Sequence, residues 1–379
     1  MGFLGMTDFG LRSELERQVA LDLDMCIGCR RCLDACPVPS SKLVDILTLN
    51  EATRGDEPMD DEVRTFAYEC IQDWACVSPC PAGSGRGRMM LYLKTHLEAH
   101  PNHRRFNRIR GTREMVGLSG RLRQKGAYLV RSSRLGRLRR EVDKKELRQA
   151  PVLFYFGCYV FNPSACKALD IADRLHEDYE VLAGLGSCCG WPQMMQGQID
   201  LAEEMYRDLS AKIARVEPKE VISGCAECFA AVRDIQRRSG AKWRAISTAE
   251  WLWSRRAKLP VPKEKLAVTF HDACHVSRKE KEGNFARELL EGRAEVREMD
   301  ASGPDGLCCG YYSFDVNPSM STELRGRRVE MARETGAQKM IAECISCVEK
   351  YEGPGREAAL EVEDLVTFVH RQIFAGHAP

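Results

Sequence analysis

The chain has 379 residues and a formal net charge of +1, and 44% of its residues are hydrophobic and 29% charged. These values predict folded domains and exclude global disorder. The 18 cysteines, in a chain without an export signal, favour metal or redox cofactors over disulfides. The longest apolar stretch, residues 152–161, is too short to cross a bilayer. We therefore expect a cytoplasmic protein that reaches a membrane only through a partner.

The first cysteine motif lies near the N-terminus and reads Cys26-x-x-Cys29-x-x-Cys32-x-x-x-Cys36-Pro37. This spacing is typical of ferredoxins with four-iron, four-sulfur (4Fe-4S) clusters. Three closely spaced thiolates hold one cluster, and the fourth usually ligates the other cluster of a pair. Zinc is the weaker alternative, because it needs only two Cys-x-x-Cys pairs and leaves the proline unexplained.

The second motif has the same frame with one substitution, and it contains Cys70, Asp73, Cys76 and Cys80-Pro81. Asp73 stands where the second cysteine belongs, and a carboxylate is a harder iron ligand than a thiolate. Three outcomes stay open: Asp73 completes a 4Fe-4S cluster, the site holds a 3Fe-4S cluster, or the cluster is lost. An ordinary surface carboxylate is the alternative role for Asp73.

The two motifs together predict two neighbouring clusters. By the crossed pattern of such pairs, we expect two ligand sets: Cys26, Cys29, Cys32 and Cys80, and Cys36, Cys70, Cys76 and perhaps Asp73. Two helices are predicted between the motifs, Ser41–Leu49 and Asp61–Glu69. We therefore predict, over residues 1–100, a domain that resembles the α-helical two-cluster ferredoxin domains of electron-transfer subunits.

A basic segment follows the second motif. Residues 84–149 carry 19 lysines and arginines against 5 acidic residues, whereas residues 1–83 carry 7 against 15. Helices are predicted over Arg86–Ala99 and Arg131–Leu147, and residues 101–149 are expected to form a basic helical linker. The alternative is a docking surface for an acidic partner or an anionic membrane. We expect no nucleic acid as a partner, since the segment has few aromatic residues and no recognition motif.

The last 220 residues contain an internal repeat of five cysteines. In the first copy, 29 residues separate Cys158 from a Cys-Cys pair, and 35 residues separate that pair from a Cys-x-x-Cys motif; in the second copy the corresponding numbers are 33 and 34. The first copy contains Cys158, Cys188, Cys189, Cys225 and Cys228, and the second contains Cys274, Cys308, Cys309, Cys344 and Cys347. A duplication explains ten matched cysteines better than chance does.

Each copy is predicted to alternate strands and helices, which indicates an α/β domain with a mainly parallel sheet. We place the two domains at residues 150–260 and 261–379. The predicted strands are Val152–Phe156, Glu180–Ala183, Glu220–Ser223, Leu266–His271, Glu295–Met299 and Lys339–Ala342. The predicted helices are Ala165–Glu177, Ile199–Arg215, Glu227–Gln236, Asn284–Glu291 and Thr322–Glu334.

The repeated motif resembles the CCG domain of heterodisulfide reductase catalytic subunits and of related iron–sulfur subunits. The residues that carry this resemblance include Ser187-Cys188-Cys189-Gly190, Gly224-Cys225-Ala226-Glu227-Cys228 and Leu307-Cys308-Cys309-Gly310. With the ferredoxin motifs, the resemblance covers nearly the whole chain. It is closest to the fused form, in which the two-cluster subunit and the two-CCG subunit share one polypeptide. Tyr311-Tyr312 depart from it, because small residues are expected after Gly310.

The resemblance implies that each set of five cysteines holds a non-cubane 4Fe-4S cluster, with a disulfide bound between the two clusters. Cys189 and Cys309 are then expected at the catalytic centre. His271 and His275 flank Cys274, and His275 is a candidate proton donor; a structural histidine is the alternative. Cys166, outside the motifs, is expected to be a core thiol.

Three functions compete at this stage. The first is an oxidoreductase subunit that reduces or forms a low-molecular-weight or protein disulfide. The second is an electron relay in a flavin dehydrogenase or membrane quinone oxidoreductase, without a substrate of its own. The third, a zinc-stabilised interaction protein, is the weakest. Because no nucleotide fingerprint is present, both oxidoreductase hypotheses require a separate flavoprotein or other donor subunit, and a membrane quinone-reactive subunit is a further candidate partner.

Overall fold

The computed structural model describes residues 8–98, 136–142 and 144–374. Its N-terminal region consists of the helices α1 (Leu11–Met25), α2 (Arg31–Asp34), α3 (Ile46–Arg54), α4 (Asp61–Glu69) and α5 (Arg86–Thr95). The predicted bounds of α4 are confirmed. Helix α3 begins five residues later than predicted, because Pro39–Lys42 forms a 3₁₀ turn and Asp45 caps the helix by accepting hydrogen bonds from the N–H groups of Leu47 and Thr48.

Helix α1 was not predicted, although Leu11, Leu15, Val19 and Leu23 recur at four-residue intervals and are buried. The N-terminal end of this helix is held against the first repeat. The N–H groups of Phe9 and Leu11 donate to the Glu203 carboxylate at 2.7 and 2.8 Å.

Each repeat contains a four-stranded parallel sheet with the same strand order. The first sheet has the order β2-β1-β3-β4 and the second β6-β5-β7-β8. All six predicted strands are present, whereas β4 and β8 were not predicted. The strands are β1 (Val152–Gly157), β2 (Tyr179–Ala183), β3 (Glu220–Ser223), β4 (Arg244–Ser247), β5 (Leu266–His271), β6 (Ala294–Val296), β7 (Lys339–Ala342) and β8 (Glu361–Asp364).

The helices of the repeats cover both faces of the sheets, as the parallel arrangement requires. They are α6 (Pro163–Arg174), α7 (Trp191–Met195), α8 (Ile199–Val216), α9 (Ala226–Ser239), α10 (Thr248–Ser254), α11 (Phe285–Leu290), α12 (Pro318–Glu334), α13 (Ile345–Glu357) and α14 (Leu365–Phe374). A π-helical turn, His275–Glu280, follows the first cysteine of the second repeat.

The basic segment differs from the prediction where it is described. Residues 136–140 form a 3₁₀ turn, and no α-helix follows before β1 among the described residues, so the predicted helix Arg131–Leu147 is wrong there. Arg137 pairs with Asp170 and Asp173 of α6, and Leu138 is buried, which holds the segment against the first repeat. Residues 99–135, with the end of the predicted helix Arg86–Ala99, lie outside the described part.

One continuous apolar core joins the N-terminal helices to the cysteine-bearing sides of both repeats. A second core lies on the other face of the two sheets, where α6 packs against α14. The three regions therefore form a single body around the cysteines. In the described ranges, no helix is long and apolar enough to cross a bilayer.

Candidate metal centre

Parallel strands bring the repeated cysteines together. Cys158, Cys188 and Cys225 follow the adjacent strands β1, β2 and β3, and the second repeat places its cysteines in the same way after β5, β6 and β7. The carboxyl ends of parallel strands meet at one edge of a sheet, which is where such sheets build their sites. Cys228 and Cys347 lie in the first turns of α9 and α13.

In the first repeat, the five thiols form a connected chain. Each thiol interacts with the next, in the order Cys158, Cys188, Cys189, Cys228 and Cys225. Cys189, Cys225 and Cys228 are buried, and the other two are half-buried. The sequence motif has thus brought all five side chains to one place.

The second repeat has the same chain of contacts with all five thiols buried. The Sγ atoms of Cys274 and Cys308 are 3.6 Å apart, and those of Cys347 and Cys309 are 3.7 Å apart. Cys308 also interacts with Cys309, and Cys344 with Cys347. The two sets are therefore near copies of one another.

The two chains of thiols meet where Cys225 and Cys344 interact, and Cys225 Sγ lies 3.8 Å from the Ser346 hydroxyl of the second repeat. The N–H of Ala226, the first residue of α9, donates to Cys344 Sγ at 3.4 Å. A helix N-terminus of the first repeat thus points at a thiol of the second, and such a terminus favours negative charge. Hydrogen bonds from Cys225 and Cys347 hold the pKa of Cys344 well below its usual range, and the Ala226 N–H adds to this effect.

Close packing explains why a glycine follows each cysteine pair. Gly190 has φ +76°, and a Cβ there would lie 3.0 Å from Met205 Cβ and 3.2 Å from the Ala202 carbonyl oxygen of α8. Gly310 has φ +66°, and its Cβ would lie 3.2 Å from Ser321 of α12. A glycine therefore lets each cysteine pair turn directly against the next helix.

Aromatic side chains fill the space between the repeats. Tyr312 is buried, and its hydroxyl donates to Glu227 Oε1 of the first repeat at 2.7 Å. The Tyr159 hydroxyl contacts the Ser346 hydroxyl of the second repeat. The Tyr311-Tyr312 departure noted in the sequence thus supplies cross-repeat contacts, with the two rings 5.2 Å apart and edge-on.

The two histidines that flank Cys274 are both buried, and burial lowers the pKa of His275 to about 4 and that of His271 to about 3. His275 Nδ1 lies 3.7 Å from Cys274 Sγ, and its ring packs edge-on against Trp191 of the first repeat, 5.6 Å between centroids. His271 Nδ1 accepts a hydrogen bond from buried Arg328. Arg328 thus fixes one ring nitrogen of His271, and His275 lies beside Cys274.

The first ferredoxin-type set surrounds one cavity, which Cys26, Cys29, Cys32 and Cys80 line together. Buried Arg86 donates to Asn50 Oδ1 at 2.7 Å, and both side chains donate to Cys26 Sγ, at 3.5 and 3.4 Å. Although burial opposes it, the Gly28 N–H and Asn50 lower the pKa of Cys26. Cys29 is exposed, so this site adjoins the protein surface.

The second ferredoxin-type set lines a neighbouring cavity that contains Cys36, Cys70, Cys76 and Asp73. Asp73 is buried, so the surface-carboxylate alternative is wrong. Its Oδ2 pairs with Arg278 Nη1 at 3.0 Å, and its Oδ1 accepts from the Ala75 N–H at 3.2 Å. Burial raises the pKa of Asp73, while Arg278 opposes that shift. Cys32 and Arg86 line both cavities, which places the two sites side by side.

The donor sets fit multi-iron clusters better than single ions. The five thiols of each repeat interact one with the next in the protein interior, and each ferredoxin-type set borders a cavity. Within the described ranges, no three histidine, cysteine or acidic side chains are arranged around a single metal ion. The assignment of the 18 candidate ligands therefore rests on which side chains lie together.

Comparisons with known families agree with this arrangement. Residues 18–81 match the 4Fe-4S dicluster domain, and residues 152–233 and 268–349 each match the cysteine-rich CCG domain. The chain therefore has a helical region that matches the 4Fe-4S dicluster domain, followed by two α/β CCG regions, and it is similar over most of its length to a heterodisulfide reductase subunit. It is an electron-transfer component related to reductase subunits.

Individual relatives have low sequence identity to the chain but align with it over long regions. The chain is 23% identical to a subunit of the dihydromethanophenazine:CoB–CoM heterodisulfide reductase of Methanosarcina barkeri, over 92% of its own length and 93% of that protein. It is 27% identical to a subunit of the fumarate reductase (CoM/CoB) of Methanothermobacter marburgensis, over 51% of its own length and 40% of that protein. An uncharacterized iron–sulfur protein of Methanococcus maripaludis is 23% identical, and the chain spans 66% of its length.

Several residues of the site were not singled out from the sequence. Arg278, Lys279 and Glu280, in the π-helical turn, reach three different neighbours, and no sequence pattern marks such distant pairings. The Lys279 ammonium lies 5.3 Å from the Trp74 ring and 5.5 Å from the Trp191 ring, and Glu280 pairs with Arg237 at 2.7 Å. Cys166 is half-buried against the second core, away from the thiol chains, as expected for a packing residue.

Proposed function

We propose that this protein is the iron–sulfur subunit of an oxidoreductase complex that reduces, or forms, a disulfide at its paired CCG sites. The observation that carries the proposal is the meeting of two complete five-thiol chains, where Cys225 Sγ lies 3.8 Å from the Ser346 hydroxyl and the Ala226 N–H donates to Cys344 Sγ at 3.4 Å. An electron relay needs only one CCG site on a single path for electrons. Two matched sites in contact suit a substrate that accepts one electron from each side.

Reductive cleavage of a disulfide consumes two electrons and two protons and gives two thiols. When bound, the CCG clusters would supply the two electrons. The chain's own residues hold the ten thiols in place, with the N-terminus of α9 aimed at Cys344. Tyr312, Tyr159 and Trp191 exclude water between the repeats, and His275 holds a ring nitrogen, Nε2, that is buried and has no partner in the described part of the chain. Because burial lowers the pKa of His275 to about 4, its ring is neutral near pH 7 and would donate a hydrogen bond, not a proton, to a product thiolate. The two protons would then come from solvent as the thiols leave.

Electrons would enter at the first ferredoxin-type site, next to exposed Cys29. Large apolar side chains surround it on the surface: Ile27, Leu43 and Leu47 are 68%, 69% and 60% exposed. Leu47 adjoins Gly28 in the cysteine loop, because a Cβ on Gly28 would lie 3.6 Å from its Cδ2. We propose this surface as the docking face of the separate donor subunit, a flavoprotein or another electron carrier. A membrane quinone-reactive subunit would dock at the same face.

The relay hypothesis keeps one observation in its favour. The fumarate reductase relative matches half of the chain, so a related sequence occurs in an enzyme that is named for the reduction of fumarate. A relay would transfer electrons without disulfide turnover. Removing one CCG site would then slow electron flow without abolishing a disulfide reaction.

The test is turnover of low-molecular-weight disulfides by the anaerobically purified protein, with a reduced viologen dye as donor. We expect Cys189→Ser and Cys309→Ser each to abolish turnover, whereas Cys166→Ser retains it. The iron content of every variant is measured in parallel. Full turnover in either catalytic variant, or no turnover by a fully iron-loaded wild-type protein with a wide panel of disulfides, would leave the relay function instead.

A further inference from the structure

A buried arginine lies between the two ferredoxin-type cavities. Arg86 is the first residue of α5, is only 3% exposed, and borders the cavity of Cys26 as well as the cavity of Cys36. A buried charge is costly unless it is paired and hydrogen-bonded. The groups that compensate the charge of Arg86 therefore indicate its role.

The protein itself gives this guanidinium few partners. Its Nη2 donates to Asn50 Oδ1 at 2.7 Å and to Cys26 Sγ at 3.5 Å, and neither acceptor is a carboxylate. Its Nε and Nη1 are buried and have no hydrogen-bond partner among the described residues. Asp73, the carboxylate that lines the second cavity, is paired with Arg278 at 3.0 Å. The positive charge and two of the nitrogens therefore remain for groups that fill the cavities.

Two contacts fix the backbone that carries Arg86. The Arg88 guanidinium pairs with Asp22 of α1 through two hydrogen bonds of 2.7 Å, and the Asp22 side chain is 1% exposed. A Cβ on Gly87 would lie 2.7 Å from the Trp74 ring, so α5 begins directly against the second cysteine motif. Arg86 is thus held at one position between the two sites.

The other buried cation of α5 is placed differently. Lys94 Nζ donates to the carbonyl oxygen of Cys70 at 2.8 Å, and Lys94 borders neither of the two cavities. Of these two cations, Arg86 is the one that borders both sites.

Thiolate ligands bring negative charge to both cavities, and reduction adds one more negative charge to a cluster, so a nearby cation favours the reduced state. An arginine stays protonated, so this compensation needs no proton. We propose that Arg86 is the shared counter-ion of the two ferredoxin-type clusters: its charge raises both reduction potentials, and its Nε and Nη1 are donors to sulfur atoms in the two cavities. The inference requires a cluster at each site, with three or four irons at the Asp73 site, and does not depend on the disulfide reaction.

The experiment is an anaerobic potentiometric titration of the holoprotein, followed by electron paramagnetic resonance of the ferredoxin-type signals. We expect Arg86→Gln, which removes the charge, to lower both midpoints. At a fixed potential, the ratio of reduced to oxidised protein should fall about tenfold at each cluster. Arg86→Lys keeps the charge and should restore most of both midpoints, which a role in packing alone would not predict.

A second variant keeps the arginine and neutralises it. Asn50→Asp places a carboxylate where Asn50 Oδ1 now accepts from Arg86, so the two side chains would form an ion pair. Both midpoints should fall, and the first site should respond more, because Asn50 also donates to Cys26 Sγ at 3.4 Å. If Arg86→Gln loses iron, Asn50→Asp and Arg86→Lys decide the question.

Arg31→Gln is the matched control. Arg31 lies between Cys29 and Cys32 in the sequence but is exposed, so solvent screens its charge and both midpoints should stay nearly unchanged. The inference is overturned if Arg86→Gln shifts one midpoint or neither, if Asn50→Asp shifts neither, if the control shifts them as much, or if the wild-type protein lacks one of the two clusters. The expected shifts in a protein without disulfide turnover would instead remove the proposed function and keep this inference.

Discussion

The two CCG repeats share one framework but differ around it. Both have the same strand order, the same chain of five thiols and a left-handed glycine after the cysteine pair. After its first cysteine, however, the first repeat continues in a 3₁₀ turn, Cys158–Phe161, whereas the second forms the π-helical turn His275–Glu280. The cysteines of the two repeats thus match, while the local backbone beside them differs. π-Helical turns occur frequently at functional sites, which directs attention to the second repeat.

The largest expected effect comes from separating the two sites. Cys225→Ser and Cys344→Ser each remove a thiol at the contact between the repeats. With four filled 4Fe-4S sites the protein would contain about 16 iron atoms. Each variant should lose about four of them and all disulfide turnover, while the other repeat keeps its cluster. Iron analysis with electron paramagnetic resonance checks this, and loss of both CCG clusters in one variant would show that neither site forms alone.

The glycines after the cysteine pairs should also respond unequally. Gly190→Ala brings a methyl group within 3.0 Å of Met205 in a left-handed backbone conformation, so we expect a loss of about 2–4 kcal/mol in unfolding free energy. Gly310→Ala meets its nearest atoms at 3.2 Å and should cost less. Gly240→Ala, with φ +64° and open space around it, isolates the backbone contribution. Denaturant unfolding measures all three, and equal losses would mean that the contacts with α8 and α12 contribute nothing.

A smaller effect is expected from the bridge between the repeats. Tyr312→Phe removes the hydrogen bond to Glu227 and should lower the unfolding free energy by about 1 kcal/mol. Tyr206→Phe is the matched control within the first repeat. The Tyr206 hydroxyl is buried with no hydrogen-bond partner in the described ranges, so its removal should be neutral or stabilising. Thermal unfolding of the two variants compares them, and equal destabilisation would contradict a role for the bridge.

The smallest effect is expected at the one cysteine outside the motifs. Cys166 packs half-buried against the second core. Cys166→Ala should leave the iron content unchanged and alter the unfolding free energy by less than about 1 kcal/mol. A loss of iron in this variant would add an unforeseen ligand to the first repeat.

Spacing in the sequence was sufficient to predict much of this molecule. The cysteine intervals and the alternating elements identified the repeat, the parallel sheets and the ligand groups that the structure brings together. A local pattern suffices there, because each thiol lies on or next to a strand or helix that its own neighbours in sequence specify. Helix α1, with its four-residue spacing, was also visible in principle.

The remaining features depend on distant pairs. Nothing near Asp73 indicates that Arg278, 205 residues away, will pair with it, and nothing near Glu227 indicates Tyr312. A single sequence does not indicate which charged residues of different domains will form ion pairs. The same limit explains the error in the basic segment, where the pairs of Arg137 with α6 hold a turn in place of a helix.

The π-helical turn has a consequence for how such proteins can be divided among genes. Within three consecutive residues it contacts Asp73 of the ferredoxin region, Trp191 and Arg237 of the first repeat, and its own repeat through Gly306. These contacts are made by side chains, so they do not depend on the peptide segment that links the regions. A chain severed between residues 99 and 135 would keep all of them, so its two pieces would recognise each other as separate subunits.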